Sequence, residues 1–231
     1  MRNLAIIPVR IGSKRLPRKN VLPFDGIPMF VHTYRHALRS ELFDTILVST
    51  ESEEVLEICK HYEISVPFKR PARLANDTAQ LVSVIEHSLQ EFERRQRTFD
   101  NFCLLWATAP LRTANHMVEA FEMLVENPEL DGVLATTMYN KSVFSGMLVD
   151  QEGFLKPLFP DQIRTVRSQQ PIVVVDNSSM VWNRVNAFRR YKTWLPPKLA
   201  SYQMPEHLSV DLDTKEDLAL LQYYNQIDPL C

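Results

Sequence analysis

The sequence predicts an α/β protein with a doubly wound, mostly parallel sheet, and two observations carry this prediction. Short apolar runs alternate with segments of helical period through residues 1–140. The runs are continuous rather than alternating, which is typical of strands buried on both faces of a parallel sheet. A β-α-β-α order of this kind places helices over both faces of the sheet.

The elements follow one another regularly along the chain. Strands are predicted at Leu4–Val9, Thr45–Val48, Phe102–Trp106, Val133–Thr137 and, after an interruption, Ile172–Val175. Helices are predicted around Met29–Leu38, after a capping box of Thr50 and Glu53, at Leu81–Phe92 and around Met117–Leu124. A strand-like Val210–Asp213 precedes a last helix that begins at Thr214. Ligands bind at the carboxyl ends of such strands, so chemistry is expected just after Val9, Ser49, Trp106 and Thr137.

Residues 138–171 interrupt this pattern. The stretch is apolar, has no clear period and is too long for an ordinary connection. We interpret it as an arm inserted into a single domain of residues 1–231, a length that can bury one core. Phe144, Phe154 and Phe159 are the apolar side chains with which this arm would pack against a second subunit.

Composition and charge exclude several classes of partner. The net charge of −2 provides no general attraction to nucleic acid or to an anionic membrane, so an anionic ligand requires a local cluster of cations. Cys59, Cys103 and Cys231 show no metal-ligand spacing, which is typical of reduced thiols. The N-terminal apolar run is shorter than a signal-peptide core, and no stretch reaches the roughly 20 apolar residues that span a membrane. We therefore expect a soluble, cytoplasmic protein.

The basic loop after the first strand is the strongest candidate for chemistry. Residues 10–20 read R-I-G-S-K-R-L-P-R-K-N, and five of them are cationic. Gly12 and Ser13 allow a tight turn with inward-pointing amides, and such a loop at the mouth of a parallel sheet can bind phosphates. The loop lacks the ending of a Walker A motif and the glycines of a dinucleotide fingerprint. A solvated basic loop without a ligand is the alternative.

This loop resembles the N-terminal signature of the acylneuraminate (sialic-acid) cytidylyltransferases, I-x-P/L-A-R-x-x-S-K-x-x-x-x-K-N. The residues in register are Arg10, Ser13, Lys14, Lys19 and Asn20. The resemblance implies a Rossmann-like nucleotidyltransferase fold, CTP as a substrate and catalytic contacts from Arg10 and Lys19 to its phosphates. A fixed cationic clamp is what in-line displacement at phosphorus requires. The nucleotide-binding residues implied in this part of the chain are Pro8, Val9, Arg10, Gly12, Ser13, Lys19 and Asn20.

Three further segments extend the resemblance over about residues 4–222. Residues 48–54, V-S-T-E-S-E-E, resemble V-S-T-D-x-x-E, with Glu51 in place of the aspartate. Residues 70–78 resemble R-P-x-x-L-A-x-D-T, a loop associated with cytosine and ribose. This match implies nucleotide contacts from Arg70, Asp77, Thr78 and Ala79. Residues 105–112, L-W-A-T-A-P-L-R, resemble L-Q-P-T-S-P-L-R.

Two departures in the last segment bear on the sugar. Trp106 replaces a glutamine that faces the sugar in the sialic-acid enzymes, and Ala107 replaces a proline. The A-T-A-P form is similar to the enzymes that activate pseudaminic acid, a related bacterial nine-carbon sugar. Trp106 could then pack against an acylamido methyl group or a deoxy carbon. The alternative is that Trp106 simply ends a core strand.

A metal site is indicated at Val210-Asp211-Leu212-Asp213. Alternation along an extended segment places both aspartates on one side, and paired carboxylates suit Mg²⁺ when substrate phosphates complete the shell. The alternative is that Asp213 or Thr214 only caps the last helix, with Asp217 completing a capping box. The family carries D-x-D here, so the resemblance implies that Asp211 and Asp213 bind the metal. Asp213 would also orient a metal-bound water or take the hydroxyl proton.

The sugar contacts rest on a weaker match. Residues 167–171 and 176–179 resemble R-x-Q-x-x-P and N-G-A, with Ser178 and Ser179 in place of the glycine and alanine. The resemblance implies that Arg167 holds the sugar carboxylate through a bidentate pair and that Gln169 and Asn177 contact the sugar. A surface ion pair is the alternative for Arg167.

The resemblance as a whole implies a Mg²⁺-dependent homodimeric enzyme. It would transfer CMP from CTP to the anomeric hydroxyl of an acidic nine-carbon 2-ulosonic sugar and release pyrophosphate. One alternative is the same chemistry on 3-deoxy-octulosonate or another sugar. A non-catalytic nucleotide-binding domain is the other, and the presence of Arg10, Lys19, Asp211 and Asp213 argues against it.

Overall fold

A six-stranded mixed sheet forms the centre of the protein, seen in a computed structural model that describes residues 1–76, 80–138 and 142–227. Its strands are β1 (Asn3–Pro8), β2 (Pro23–Phe24), β3 (Ile27–Pro28), β4 (Thr45–Ser49), β5 (Asn101–Leu105), β6 (Gly132–Met138), β7 (Met147–Val149), β8 (Leu155–Pro157), β9 (Val174–Arg184) and β10 (Leu199–Gln203). The α-helices are α1 (Met29–Arg39), α2 (Glu53–His61), α3 (Leu81–Glu93), α4 (Ala114–Glu126), α5 (Val185–Tyr191) and α6 (Lys215–Ile227). The sheet order is β10-β6-β9-β5-β1-β4, and β2–β3 and β7–β8 are separate pairs.

Parallel pairing dominates this sheet, as the sequence predicted. β1 pairs in parallel with both β4 and β5, and β10 pairs in parallel with β6. Among the described strands of this six-stranded sheet, β9 alone runs antiparallel to its neighbours, β5 and β6. The carboxyl ends of β1, β4, β5, β6 and β10 therefore meet at one edge of the sheet.

Helices cover both faces of the sheet, which confirms the doubly wound prediction. On one face, Ala5 and Ile7 of β1 lie in a cluster with buried side chains of α1, α2 and α4 around Trp182. On the other face, Leu4 and Ile6 lie in a cluster with buried side chains of α3 and α5. Successive residues of β1 thus enter opposite cores, which explains why its sequence is a continuous apolar run.

Two predicted strands differ from the observed ones. The strand predicted at Ile172–Val175 begins later, at Val174, and continues to Arg184, while Ile172 is 84% exposed. Val210–Asp213 is not a strand, because this segment pairs with no strand and is fixed instead by a 2.9 Å hydrogen bond from the Leu212 amide to the Thr108 carbonyl. The buried Leu212 still separates the two aspartates.

The structure shows which residues cap the N-termini of α2 and α6. Ser52, not Thr50, is the N-cap of α2, and its hydroxyl accepts a hydrogen bond from the Val55 amide. At α6, Thr214 and Asp217 form the capping pair, because Asp217 Oδ2 accepts from the Thr214 amide at 2.8 Å and Thr214 Oγ1 accepts from the Asp217 amide at 3.2 Å. Asp213 is thus not needed as a cap, and its carboxylate is available for other contacts.

The predicted arm contains the β7–β8 hairpin and short 3-10 turns. Phe144 and Phe159 pack edge-to-face with ring centroids 5.5 Å apart, so these two rings stabilise the arm itself rather than projecting from it. Phe154 is exposed, as an interface anchor would be. Other exposed apolar side chains of the arm are Met147, Leu148, Val149, Leu155, Leu158 and Val166.

Cys59 and Cys103 are buried free thiols, as predicted, whereas Cys231 lies outside the described residues. None of the helices in the described part of the chain is both long enough and apolar enough to cross a bilayer.

His36 of α1 is a buried titratable group in the core. Burial, reinforced by Arg112 and Arg39, lowers the pKa of His36 from 6.5 to about 3. His36 therefore stays neutral in the folded protein at pH values where an unfolded histidine takes up a proton.

We predict that acid destabilises the protein partly through His36. Between pH 6.5 and 3 the unfolded chain binds the extra proton, so the free energy of unfolding falls as the pH falls. At pH 5 the loss from this residue should be about 2 kcal/mol. Urea unfolding at pH 7 and pH 5 tests this, with His36→Gln as the neutral control. Equal losses in the two proteins would contradict the prediction.

Candidate active site

A cleft of about 270 Å³ opens at the carboxyl ends of β1 and β5. It combines cations from the basic loop with apolar side chains of α3 and the strand end of β5. Its lining residues are Pro8, Arg10, Lys19, Asn20, Arg70, Leu74, Asn76, Leu81, Val84, Trp106, Ala107 and Thr108. The structure thus brings together five of the predicted nucleotide residues and the predicted sugar residue Trp106.

Lys19 connects the basic loop to the D-x-D segment. It begins a 3-10 turn, and its ammonium lies 2.7 Å from Asp213 Oδ1. Arg15 Nη1 lies 2.6 Å from Asp213 Oδ2, so two cations share one carboxylate. Both partners of the Lys19–Asp213 pair are only partly exposed, which reduces screening by water.

Asp211 provides the second carboxylate of this segment. Burial raises the pKa of Asp211 above its usual value, and contacts with Thr108 and Lys19 oppose that shift. Its Oδ1 atom is buried and has no hydrogen-bond partner within the described residues. An unpaired buried oxygen of this kind is costly unless a ligand completes it.

The carboxylate pair fits a hard divalent cation in part. Asp211 and Asp213 offer oxygen ligands, which Mg²⁺ prefers. Across the described residues, no cluster of three or more histidine, cysteine or acidic side chains could hold a metal. The two aspartates alone would therefore leave most of an octahedral shell to water and substrate oxygens.

Arg70 is fixed at the base of the cleft. Only 4% of its surface is exposed, and its guanidinium forms an ion pair with Glu51 and donates to the Val9 carbonyl at 3.4 Å. The Arg70 amide also donates to the Thr50 carbonyl at 2.8 Å, which ties this loop to the end of β4. Glu51, the departure from aspartate, thus supplies the counter-charge that lets Arg70 be buried.

The backbone of the basic loop is held by two further contacts. Asn20 Nδ2 donates to the Arg10 carbonyl at 2.9 Å, and the Val9 amide donates to the Ser49 carbonyl at 2.9 Å. Gly12 and Ser13 do not line the cleft. A side chain added at Gly12 would meet no atom within 4 Å, and its φ is not positive, so the chain itself does not require glycine there.

Trp106 lines the cleft together with the cations Arg10 and Lys19 and the apolar Leu81 and Val84. Its ring packs edge-to-face against Trp194, with centroids 5.6 Å apart. Its amide donates to the Ser179 carbonyl at 3.1 Å. Trp106 therefore directly follows the core strand β5 and also lines the cleft, so the two interpretations of this residue are compatible.

The predicted sugar residue Asn177 lies in a bulge of β9 next to this strand end. It is 5% exposed, and its amide group is engaged within the chain, donating to Ser209 Oγ at 3.0 Å and accepting from the Ser179 amide at 3.2 Å. Ser178 has φ +50°, the region that favours the glycine found here in the family pattern. The substitution thus retains the backbone shape at the cost of some strain.

The other predicted sugar residues lie elsewhere in this chain. Arg167 and Gln169 are exposed on a 3-10 turn of the arm, and Arg167 borders a separate cavity of about 190 Å³ with Gln170 and Pro171. Neither residue lines the cleft. Asp77, Thr78 and Ala79, predicted to bind the nucleotide, lie outside the described residues.

Sequence reasoning missed several residues that shape the site. Arg15 contacts Asp213, Thr108 holds the D-x-D segment, and Trp194 packs against Trp106. The first two lie within segments that the motifs had already marked. Trp194 follows α5 with no accompanying pattern, so the sequence contains no signal for it.

The arrangement can bind a polyanion and assist phosphoryl transfer. Arg10, Lys19 and Arg70 line the cleft, and the ion pair of Lys19 with Asp213 joins the D-x-D segment to it. Fixed cations of this kind stabilise charge that develops on a phosphate during displacement.

Comparison with proteins of known sequence agrees with this chemistry. The sequence model of the cytidylyltransferase family matches residues 4–215. The pseudaminic acid cytidylyltransferase of Campylobacter jejuni strain 81-176 is 29% identical over 224 residues, covering 94% of both chains. The CMP-N,N'-diacetyllegionaminic acid synthase of Legionella pneumophila is 29% identical over 96% of this chain. The N-acylneuraminate cytidylyltransferase of Streptococcus agalactiae serotype V is 32% identical, and the match spans 52% of that longer protein.

Solved structures show the same fold. The structure titled CMP:2-keto-3-deoxy-manno-octonic acid synthetase complexed with CTP superposes with a TM-score of 0.71 at 15% identity, over 99% of this chain and all of the other. A 4-diphosphocytidyl-2C-methyl-D-erythritol synthase from Anaerococcus prevotii gives a TM-score of 0.65 at 10% identity, over 97% of this chain and 98% of the other. Together with the family match, the fold and the cationic cleft show that this chain belongs to the cytidylyltransferase family.

Proposed function

We propose that the protein transfers CMP from CTP to the anomeric hydroxyl of a nine-carbon 2-ulosonic acid and releases pyrophosphate. The observation that carries this proposal is the cleft lined by Arg10, Lys19 and Arg70, in which Lys19 also pairs with Asp213 of the D-x-D segment. The names of the bacterial relatives, which include pseudaminic, legionaminic and N-acylneuraminic acids, support the class of acceptor.

Three cations have distinct tasks in this proposal. Arg10 and Lys19, in the basic loop after β1, bind the phosphates of CTP. Lys19 neutralises charge on the transferred phosphate, and its bond to Asp213 holds its ammonium in place before CTP arrives. Arg70 is more deeply buried and fixed by Glu51, so it supplies a rigid positive charge at the base of the cleft.

Asp211 and Asp213 would hold Mg²⁺ in this proposal. Their fit rests on the unpartnered buried Oδ1 of Asp211 and on the hard oxygen chemistry of both side chains. When bound, the ion would neutralise negative charge on the phosphates. Asp213 would keep its contact with Lys19, and its carboxylate would take the proton of the attacking hydroxyl.

The acceptor end of the cleft carries the indole of Trp106, supported by Trp194. An aromatic wall here favours an acceptor with acylamido methyl groups or deoxy carbons, because those groups gain from apolar contact. We therefore propose pseudaminic acid or a similar deoxy nonulosonic acid as the acceptor. The similarity to the octulosonate synthetase is at 15% identity and concerns the fold, so it does not favour the eight-carbon sugar.

We expect CTP- and Mg²⁺-dependent pyrophosphate release with pseudaminic acid. The panel should include N-acetylneuraminic acid, legionaminic acid and 3-deoxy-octulosonate. Higher kcat/KM with the deoxy nine-carbon acids would support the proposed apolar contact between Trp106 and the acceptor. Turnover of the octulosonate alone would overturn the acceptor class, and absence of turnover with every acid would point to a non-catalytic domain.

Replacing Lys19 should abolish most activity without unfolding the protein. Lys19→Ala removes charge stabilisation at the phosphate, so we expect kcat to fall by about 10²-fold or more. Lys198→Ala is a matched control, because Lys198 also forms a 2.7 Å ion pair, with Glu129, at the opposite edge of the sheet. Steady-state kinetics and thermal melting measure both effects. Near-normal kcat in Lys19→Ala would refute the assigned role.

We also propose that the enzyme is a cytoplasmic homodimer built through the arm. The buried free thiols support a reducing compartment. The exposed apolar side chains of the arm, such as Val149 and Phe154, support an interface. In a dimer, Arg167 and Gln169 on the arm would have a route to the cleft of the other subunit.

Light scattering should give the mass of a dimer at micromolar concentration. Phe154→Asp combined with Val149→Asp should shift this mass toward the monomer, because buried charges are costly at an apolar interface. The matched control is Leu38→Asp, which alters an exposed leucine of α1. A monomeric wild-type protein, or an unshifted double variant, would contradict the arm interface.

A further inference from the structure

Arg112 is an arginine buried without a counter-ion. It is 0% exposed, and among the described residues no carboxylate acts on its charge. Burial lowers the pKa of Arg112 to about 10, still well above neutral pH, so the guanidinium remains charged. Two of its nitrogen atoms, Nε and Nη2, are buried and have no hydrogen-bond partner in this part of the chain.

The hydrogen bonds of Arg112 do not explain why the fold tolerates the free-energy cost of burying its charge. Its Nη1 donates to two carbonyls, those of Trp106 and Ser179. Both carbonyls have another donor, since Thr33 Oγ1 donates to Trp106 and the Trp106 amide donates to Ser179. Removing the guanidinium would thus leave neither carbonyl unsatisfied. A buried cation of this kind is commonly neutral or unfavourable for stability compared with an apolar side chain of similar size.

The two carbonyls belong to the segments that border the acceptor end of the cleft. Trp106 directly follows β5 and lines the cleft, while Ser179 lies in the β9 bulge that contains Asn177 and the strained Ser178. The Nη1 atom of Arg112 therefore connects the two segments through their carbonyls. Their relative position sets how the indole of Trp106 faces the rest of the site.

We propose that Arg112 is a positioning residue for the acceptor, whose contacts to the Trp106 and Ser179 carbonyls hold the end of β5 against the β9 bulge. This inference rests on the proposed function, because the acceptor subsite is part of it. Arg112 touches neither substrate, and its effect is transmitted through Trp106. The strain and charge that the fold tolerates here are typical of a site that trades stability for function.

The test is Arg112→Met, which keeps the length of the side chain and removes the charge and donors. We expect the KM for the nonulosonic acid to rise about tenfold, with the KM for CTP changed by less than about twofold. The melting temperature should be unchanged or higher. Arg112→Lys, which retains the charge but has one donor group, should restore part of the acceptor KM.

Arg184→Met is the matched control. Arg184 also donates to carbonyls of two segments, those of Leu130 and Leu124, but at the opposite end of β9. Arg184→Met should lower the melting temperature without raising the KM for the nonulosonic acid relative to the KM for CTP. An unchanged acceptor KM in Arg112→Met, or a joint rise of both KM values with a lower melting temperature, would overturn the inference. Absence of activity in the wild-type protein would instead refute the proposed function.

Discussion

The two-sided burial of β1 is the constraint on which the rest of the structure depends. Leu4–Ile7 enter both cores and pair with β4 and β5, so polar groups can follow this strand only beyond its carboxyl end. The parallel register then brings Val9, Thr50 and Trp106 to one edge. Cations gathered there repel each other, and Glu51 and Asp213 relieve that repulsion by pairing with Arg70 and Lys19. The polarity of the site thus follows from the apolarity of the strand that leads to it.

Strands whose sequence is a continuous apolar run could be predicted. β1, β4, β5 and β6 are found where their apolar runs lie, within a residue or two at the ends. Most of β9 could not be predicted, because Asn177, Ser178, Ser179 and Asn183 interrupt its apolar pattern, and its neighbours β5 and β6 supply the pairing that makes it a strand. Val210–Asp213 shows the reverse case: the alternating pattern is present, but no strand lies beside it.

The residues of the candidate site likewise fall into those that the sequence could predict and those that it could not. Arg10, Lys19, Asn20, Arg70 and Trp106 follow strand ends or their adjoining loops, and a parallel sheet brings such positions together whatever the details. The locations of Arg167 and Gln169 depend instead on where the arm packs, which its lack of periodicity does not specify. Asn177 was predicted to contact the sugar, and in the β9 bulge its side-chain amide bonds to Ser209 and to the Ser179 amide. Hydrogen bonding inside a bulge depends on partners far away in sequence.

The attachment of the arm has a consequence for how this architecture can vary. Met138 at the end of β6 is paired with Val174 at the start of β9, so the inserted chain leaves and re-enters the sheet at one pair of neighbouring residues. The entropy of closing such a loop depends only weakly on its length. Residues 139–173 can therefore be shortened, lengthened or exchanged for a different module without moving the strands that position the cleft. The arm and the strands that position the cleft are in this way separable units of change during evolution or design.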